Sequence, residues 1–241
     1  MNEQKHYFNV ANLTKSLTVS SAWYTEGEPT VPSSVPLSVR AKIQPGVHRY
    51  YSFTVTNSSS KIIDEIALVF RLNDVIAERS FKYYKYSRDG LKPQESVILE
   101  SRAKRPDLTV AIEAIIFRDG TYEGDLKIAE IQLARGQAID AKMVELMTLF
   151  KERGLLFPQT VMVIGSNAKE MRALAKGEFE RHKGRKEFQD TRDSDRNRAA
   201  LDGIVMIDAA LSHVEQHPSQ QAMRDFIAKI ANLTGVKSFE E

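Results

Sequence analysis

The sequence predicts a mixed α+β chain, with an antiparallel β-sandwich over residues 1–132 and an all-helical region of about four helices over residues 133–241. Three observations predict it. Apolar side chains recur at every second residue from Lys15 to about Gln132, which is the pleat of half-buried strands. Beyond Gln132 they recur at every third or fourth residue, the turn of an amphipathic helix. Residues Ile128 to Gly136 hold little Pro, Ser or Gly, so the last strand is expected to run almost directly into the first helix, with the two parts docked rather than tethered.

Leu17, Val19 and Trp23 begin the alternation, and Leu37, Val39, Ala41 and Ile43 continue it. Tyr51, Phe53 and Val55 follow, then Ile66, Leu68, Phe70 and Leu72. Pro32, Pro36, Pro45-Gly46, Asn57 to Ser60, Asp89-Gly90 and Asp119-Gly120 punctuate these runs with turn chemistry. A strand from Ser96, with Val97 and Leu99 on one face, is announced by Leu91 and Pro93. In the last hairpin Val110, Ile112, Ala114 and Ile116 alternate up to Asp119-Gly120, a pair suited to a type I′ turn, and Thr121 with Tyr122 starts the return. About seven or eight short strands result, separated at the intervals of an antiparallel sandwich.

Three stretches carry a resemblance: Ser52 to Ile62, with Val55, Asn57 and Ser59 in a V-x-N-x-S pattern; Leu91 to Ser96; and Ala114 to Asp125, with Phe117, Asp119, Gly120 and Thr121. Together they resemble the immunoglobulin/fibronectin-III-like sandwich domains of uncharacterised bacterial proteins, over the first half of the chain only. Gln94 stands where such domains usually carry glycine, and the Cys-Trp-Cys signature of antibody domains is absent. The resemblance implies a fold and transfers no active site. It also favours an exported protein, in the periplasm or at the cell surface with its signal removed, over a cytoplasmic one.

The helical half reads as four segments. Ile139, Met143, Leu146, Met147 and Phe150 share one face of a helix over Gln137 to Arg153, closed by Gly154. Leu155 to Pro158 is a buried connector. Asn167 and Glu170 have the spacing of a capping box that opens a second helix, with Met171, Leu174 and Ala175 inward. A third runs from Asp195 through Ile204, Ile207, Leu211 and Val214 to His217, and Pro218 opens a fourth with Met223, Phe226, Ile227 and Ile230 as its stripe and Gly235 as its stop.

Composition excludes several classes of function. Lys+Arg is 34 against Asp+Glu 32 in 241 residues, a net charge of only +2, so no charge excess advertises a dedicated nucleic-acid or anionic-membrane binder. With no cysteine, disulfides, thiolate metal sites and cysteine nucleophiles are excluded. No segment approaches the run of about 18 apolar residues that a membrane span needs, and Met1 to Ala11 lacks the apolar core of a secretory signal.

Candidate sites are few. His213 and His217, four apart, could chelate a metal from one helix face, but Val214 stands where a zinc-protease helix needs glutamate, and the pair equally suits the last turn of a helix dipole. Arg181, Lys183, Arg185 and Lys186 form the most basic window, able to contact nucleic acid; Asp190, Asp193 and Asp195 follow among Arg192, Arg196 and Arg198 and largely cancel its field. Val161 to Asn167 has the outline of a strand, turn and helix start that could hold phosphate, or of a buried connector or helical extension, without the glycines of a nucleotide loop.

Tyr50, Tyr84 and Tyr86, beside Tyr51 and Tyr83, could offer rings to a glycan, peptide or protein, or form the seam against the helices. Glu113, Asp119, Glu123 and Asp125 crowd one hairpin, where a carboxylate pair would be needed for glycosidase chemistry. No catalytic, cofactor or metal set is assigned. The sequence therefore favours a non-catalytic interaction or assembly module that binds a protein partner or itself through the sandwich surface and the helical region. A nucleic-acid contact through residues 181–198 and an uncharacterised hydrolase are the alternatives.

Overall fold

The computed structural model describes residues 6–8, 10–27, 48–83, 85, 89–103, 108–183 and 191–239. The expected strand of Leu37 to Ile43 and the turns at Pro32, Pro36 and Pro45-Gly46 lie outside them. Among the described residues, nine strands precede four α-helices: β1 His6–Tyr7, β2 Ala11–Asn12, β3 Leu17–Gly27, β4 His48–Asn57, β5 Ile63–Leu72, β6 Val75–Tyr83, β7 Ser96–Ala103, β8 Thr109–Phe117 and β9 Tyr122–Gly124, then α1 Leu126–Glu152, α2 Val161–Lys183, α3 Thr191–Gln216 and α4 Gln220–Thr234. The chain divides into two compact units, Met1–Gln132 and Leu133–Glu241. None of the described helices is long and apolar enough to cross a membrane.

In the front unit one sheet has the order β1-β3-β4-β7 and the other β2-β8-β5-β6, with β9 also paired to β8. All pairings are antiparallel except that of β2 with β8. A single cluster of buried side chains draws on both sheets, with Tyr51, Phe53 and Val55 from β4 and Ile66, Leu68 and Phe70 from β5 at its centre. These are the residues whose alternation marked the strands.

Of the four register shifts among the described strands, two displace residues expected in the core. A register shift between Val19 and Ser21 turns Ala22 and Tyr24 toward the core, so Trp23, expected inward, is only half-buried. Opposite Ala67 and Leu68, β8 carries Glu113 as an extra residue, and beyond it Ile115 and Phe117 join the core cluster in place of Ile116.

Turn chemistry departs from expectation at two hairpins. The type I′ turn expected at Asp119-Gly120 is a three-residue loop in which only Gly120 has positive φ, +80°. Gly120 N–H donates to Phe117 and Phe117 N–H to Thr121, the pattern of a type I turn with a glycine bulge. Two consecutive left-handed residues occur instead at Asn73 and Asp74, φ 48° and 66°, which join β5 to β6 in a two-residue loop.

The first helix begins at Leu126 rather than Gln137, so residues 126–132, expected as strand, are helical. Asp125 is the cause: its carboxylate accepts Ile128 N–H and its carbonyl accepts Ala129 N–H. Ile128, Ala129 and Gln132 are then buried at helical spacing. Likewise α2 begins at Val161, making Val161 to Asn167 the helical extension and not a strand and turn. Asn167 sits inside α2 and donates to the Leu155 carbonyl instead of capping. Asp195 lies inside α3, and Ser219, not Pro218, introduces α4 by accepting Ala222 N–H.

Ile139, Met143 and Phe150 of α1, Ile164 and Met171 of α2, Ile207 and Leu211 of α3, and Phe226 and Ile230 of α4 are buried in the helical unit. Gly203 of α3 lies against the Ile139 backbone of α1, where an added Cβ would fall 2.9 Å from the Ile139 carbonyl oxygen.

Candidate functional site

Tyr50 is half-buried on β4, on the opposite face from the core residue Tyr51 and in register with Thr25 and Arg102. Tyr84 and Tyr86 lie outside the described residues. Of the basic window, Arg181 is exposed and pairs at 2.7 Å with Glu178 one turn back. Lys183 ends α2 with its side chain outside the description, as are Arg185 and Lys186. His213 and His217 are both exposed with ring centroids 5.2 Å apart. Among the described residues no three His, Asp or Glu side chains gather where a metal ion could sit.

The four carboxylates of the β8–β9 hairpin are each held by hydrogen bonds. Glu113, 2 % exposed, takes Nε of Arg71 at 2.7 Å and its Nη2 at 2.9 Å, which raises the arginine's pKa. Asp119 accepts Lys61 Nζ at 2.7 Å and both the hydroxyl and amide of Thr121, so its pKa falls far below the usual carboxylate range. Burial pushes Glu123 up, but the Ser16 hydroxyl and the amides of Ser16 and Lys15 outweigh it and leave the pKa lowered. Asp125 caps α1. Each acid has its own hydrogen-bond partner, and Asp125 lies in addition within the field of Arg71, the arginine that Glu113 binds.

The helical unit offers a different arrangement. The chain leaves α1 through Gly154 in the left-handed conformation, with Leu155 N–H bonded to Phe150 and Gly154 N–H to Lys151, a Schellman closure. That closure turns Leu155 and Leu156 into the core and leaves Phe157 48 % exposed. Across from this connector, α4 presents Gln220, Met223, Arg224 and Ile227, spaced along one stripe, and Gln220 Nε2 ties α4 to the Gln159 carbonyl at 3.1 Å. With Ile164 of α2 these elements line a half-open cavity of about 220 Å³. The three residues before Ile164 are exposed: Val161, Met162 and Val163, at 51, 89 and 46 %.

Size decides what such a cavity can take. Small-molecule and cofactor sites usually run from about 300 to 1,000 Å³. A cavity of about 150 Å³ already holds a benzene ring. This one therefore suits a single large apolar side chain better than a cofactor. The sequence reads Leu155 to Pro158 as a buried connector, which holds for Leu155 and Leu156 but not for Phe157, since the Schellman closure turns only the first two inward. It places Met162 in the segment Val161 to Asn167 and assigns no role to Arg224. The available signal was four consecutive apolar residues, Val161 to Ile164, more than one helix face can bury. Comparison of the chain with known protein families, with curated proteins and with solved structures found no match.

Proposed function

We propose that this protein is a non-catalytic interaction module in which an immunoglobulin-like sandwich carries a helical unit that receives an apolar side chain of a protein partner. The strand order supports the first half of this reading. In immunoglobulin folds the second and fifth main strands are neighbours in one sheet, and the third, sixth and seventh in the other. If β3 is counted as the first, β4 beside β7 and β5-β8-β9 follow that arrangement.

The observation that carries the second half is the side-chain-sized cavity open to the surface, with exposed Phe157 in its lining. Val161, Met162 and Val163 add exposed apolar side chains at the start of α2, although successive helix residues point in different directions. The hydrolase alternative loses support because its carboxylates are separately engaged, and Arg181 of the nucleic-acid alternative is offset by Glu178.

N-acetyl-phenylalaninamide titrated into the methyl-labelled full chain tests the proposal. Shifts centred on Ile164, Met223 and Ile227, with millimolar affinity weakened by Phe157→Asp, are expected. Unmoved methyls at those three positions at saturating probe would remove the pocket from consideration.

A further inference from the structure

We infer that the segment seated in this pocket is a peptide in which an acidic residue lies within about one helical turn of a large apolar anchor; the inference rests on the pocket being a protein-binding site. The cavity lining contains one charge, Arg224, and no acid. Arg224 is exposed and makes no ion pair or hydrogen bond among the described residues. Among the described arginines of the helical unit, Arg135 pairs with Asp202, Arg153 with Glu170, Arg172 with Asp208 and Glu215, and Arg181 with Glu178. Arg196 and Arg198, like Arg224, make no ion pair or hydrogen bond among the described residues; what sets Arg224 apart is its place in the cavity lining.

Met223 precedes Arg224 and Ile227 follows one turn later, so the guanidinium stem starts beside the apolar floor of the cavity. Residues three apart on a helix have Cβ atoms about 5–6 Å apart, which sets the reach between anchor and charge on the partner. A guanidinium beside an apolar cavity is complementary to a carboxylate presented by the same segment that inserts the anchor, and it disfavours a lysine there. The occupant is therefore an acidic–apolar peptide rather than a purely apolar one.

A displayed random twelve-residue peptide library, panned against the full chain and counter-selected on Phe157→Asp, tests this. Pocket-dependent peptides should pair a Leu, Met, Phe or Trp with Asp or Glu within four residues. Arg224→Glu should weaken them by about three- to tenfold, and repanning on that variant should select Lys or Arg in place of the acid.

Pocket-dependent peptides with no acidic preference and no response to Arg224→Glu would overturn the inference and leave the pocket standing. If no selected peptide depends on Phe157, both fail. Concentration-dependent dimerisation of the full chain that Phe157→Asp abolishes would make the occupant a second copy, which also overturns it. Both substituted side chains are exposed, and an unchanged circular dichroism spectrum confirms that the variants are folded.

Discussion

In the front unit Glu113, Asp119, Glu123 and Asp125 look like chemistry, yet an arginine fork, a lysine and turn hydroxyl, a pair of amides and a helix start each occupy one of them. In the helical unit Phe157 and Val161 to Val163 look like ordinary core, yet they are exposed, and Phe157 lines a cavity. The contrast teaches that a cluster of titratable residues need not be a site. A buried strand such as β5, covered from Ile63 to Phe70, needs polar partners at its ends and edges, and those acids and arginines supply them. Surplus apolar surface has no such internal use.

Substitutions that remove the front unit's special positions should break the comparison most severely. Gly124 has φ +98° and a Cβ there would sit 2.0 Å from the Glu113 carbonyl oxygen, so Gly124→Ala should cost about 4 kcal/mol. Urea unfolding followed by the fluorescence of Trp23, the sole tryptophan, reads this unit directly. Arg71→Met leaves the Glu113 charge buried and alone and should cost about 3 kcal/mol, most of it recovered in Arg71→Met with Glu113→Leu. A double variant as unstable as the single would show that the pair does more than neutralise a buried acid.

In the helical unit packing should dominate instead. Gly203→Ala gains helix propensity of about 1 kcal/mol but forces a Cβ against Ile139, for a net loss of about 1 kcal/mol in the far-UV signal of helix unfolding. Acid sharpens the distinction further. Asp119 and Glu123 have lowered pKa values when folded, so their contribution is complete above the unfolded value of about 4 and is lost as pH falls through the folded values. The front unit should therefore lose thermal stability below about pH 4, and Glu123→Gln should flatten that dependence.

The smallest effect has the opposite sign. Pro93 and Gln94 occupy the centre of a turn closed by Glu95 N–H to the Lys92 carbonyl, and Gln94 is left-handed at φ 62°. Gln94→Gly should stabilise the front unit by about 0.5 kcal/mol, measured in the same urea titration.

That turn also shows how far local residues speak. The resemblance to sandwich domains expects glycine at position 94, and the backbone keeps the glycine conformation with glutamine in place. Alternation likewise located β4, β5 and β8, because burial on one side is written directly into residue type. It could not foresee the shifts at Ser20 and Glu113, since a bulge is a property of the pairing partner as well as of the strand. Trp23 was consequently placed inward and Ile116 given the position that Ile115 and Phe117 hold. Asp119-Gly120 and Asn73-Asp74 offered similar turn chemistry, and only loop length separates a bulged hairpin from a mirror-image turn.

The helices were legible in their apolar stripes, and their starts were not, because Asp125 reads equally well as a strand end or a cap. The pocket was invisible for a deeper reason. Phe157, Met162 and Arg224 are distinguished by what fails to cover or bind them, and exposure is decided by distant parts of the chain.

Asp125 has one more consequence. Its amide completes a bond to the Glu113 carbonyl while its carboxylate and carbonyl start α1, so sheet and helix share a single residue as their joint. An inserted residue there would separate the bond to Glu113 from the start of the helix, so one of the two would be lost. Most boundaries between secondary-structure elements absorb length changes during evolution, but at this one an insertion breaks a hydrogen bond. Natural insertions in related chains should fall before β8 or after Gly154 and spare the joint.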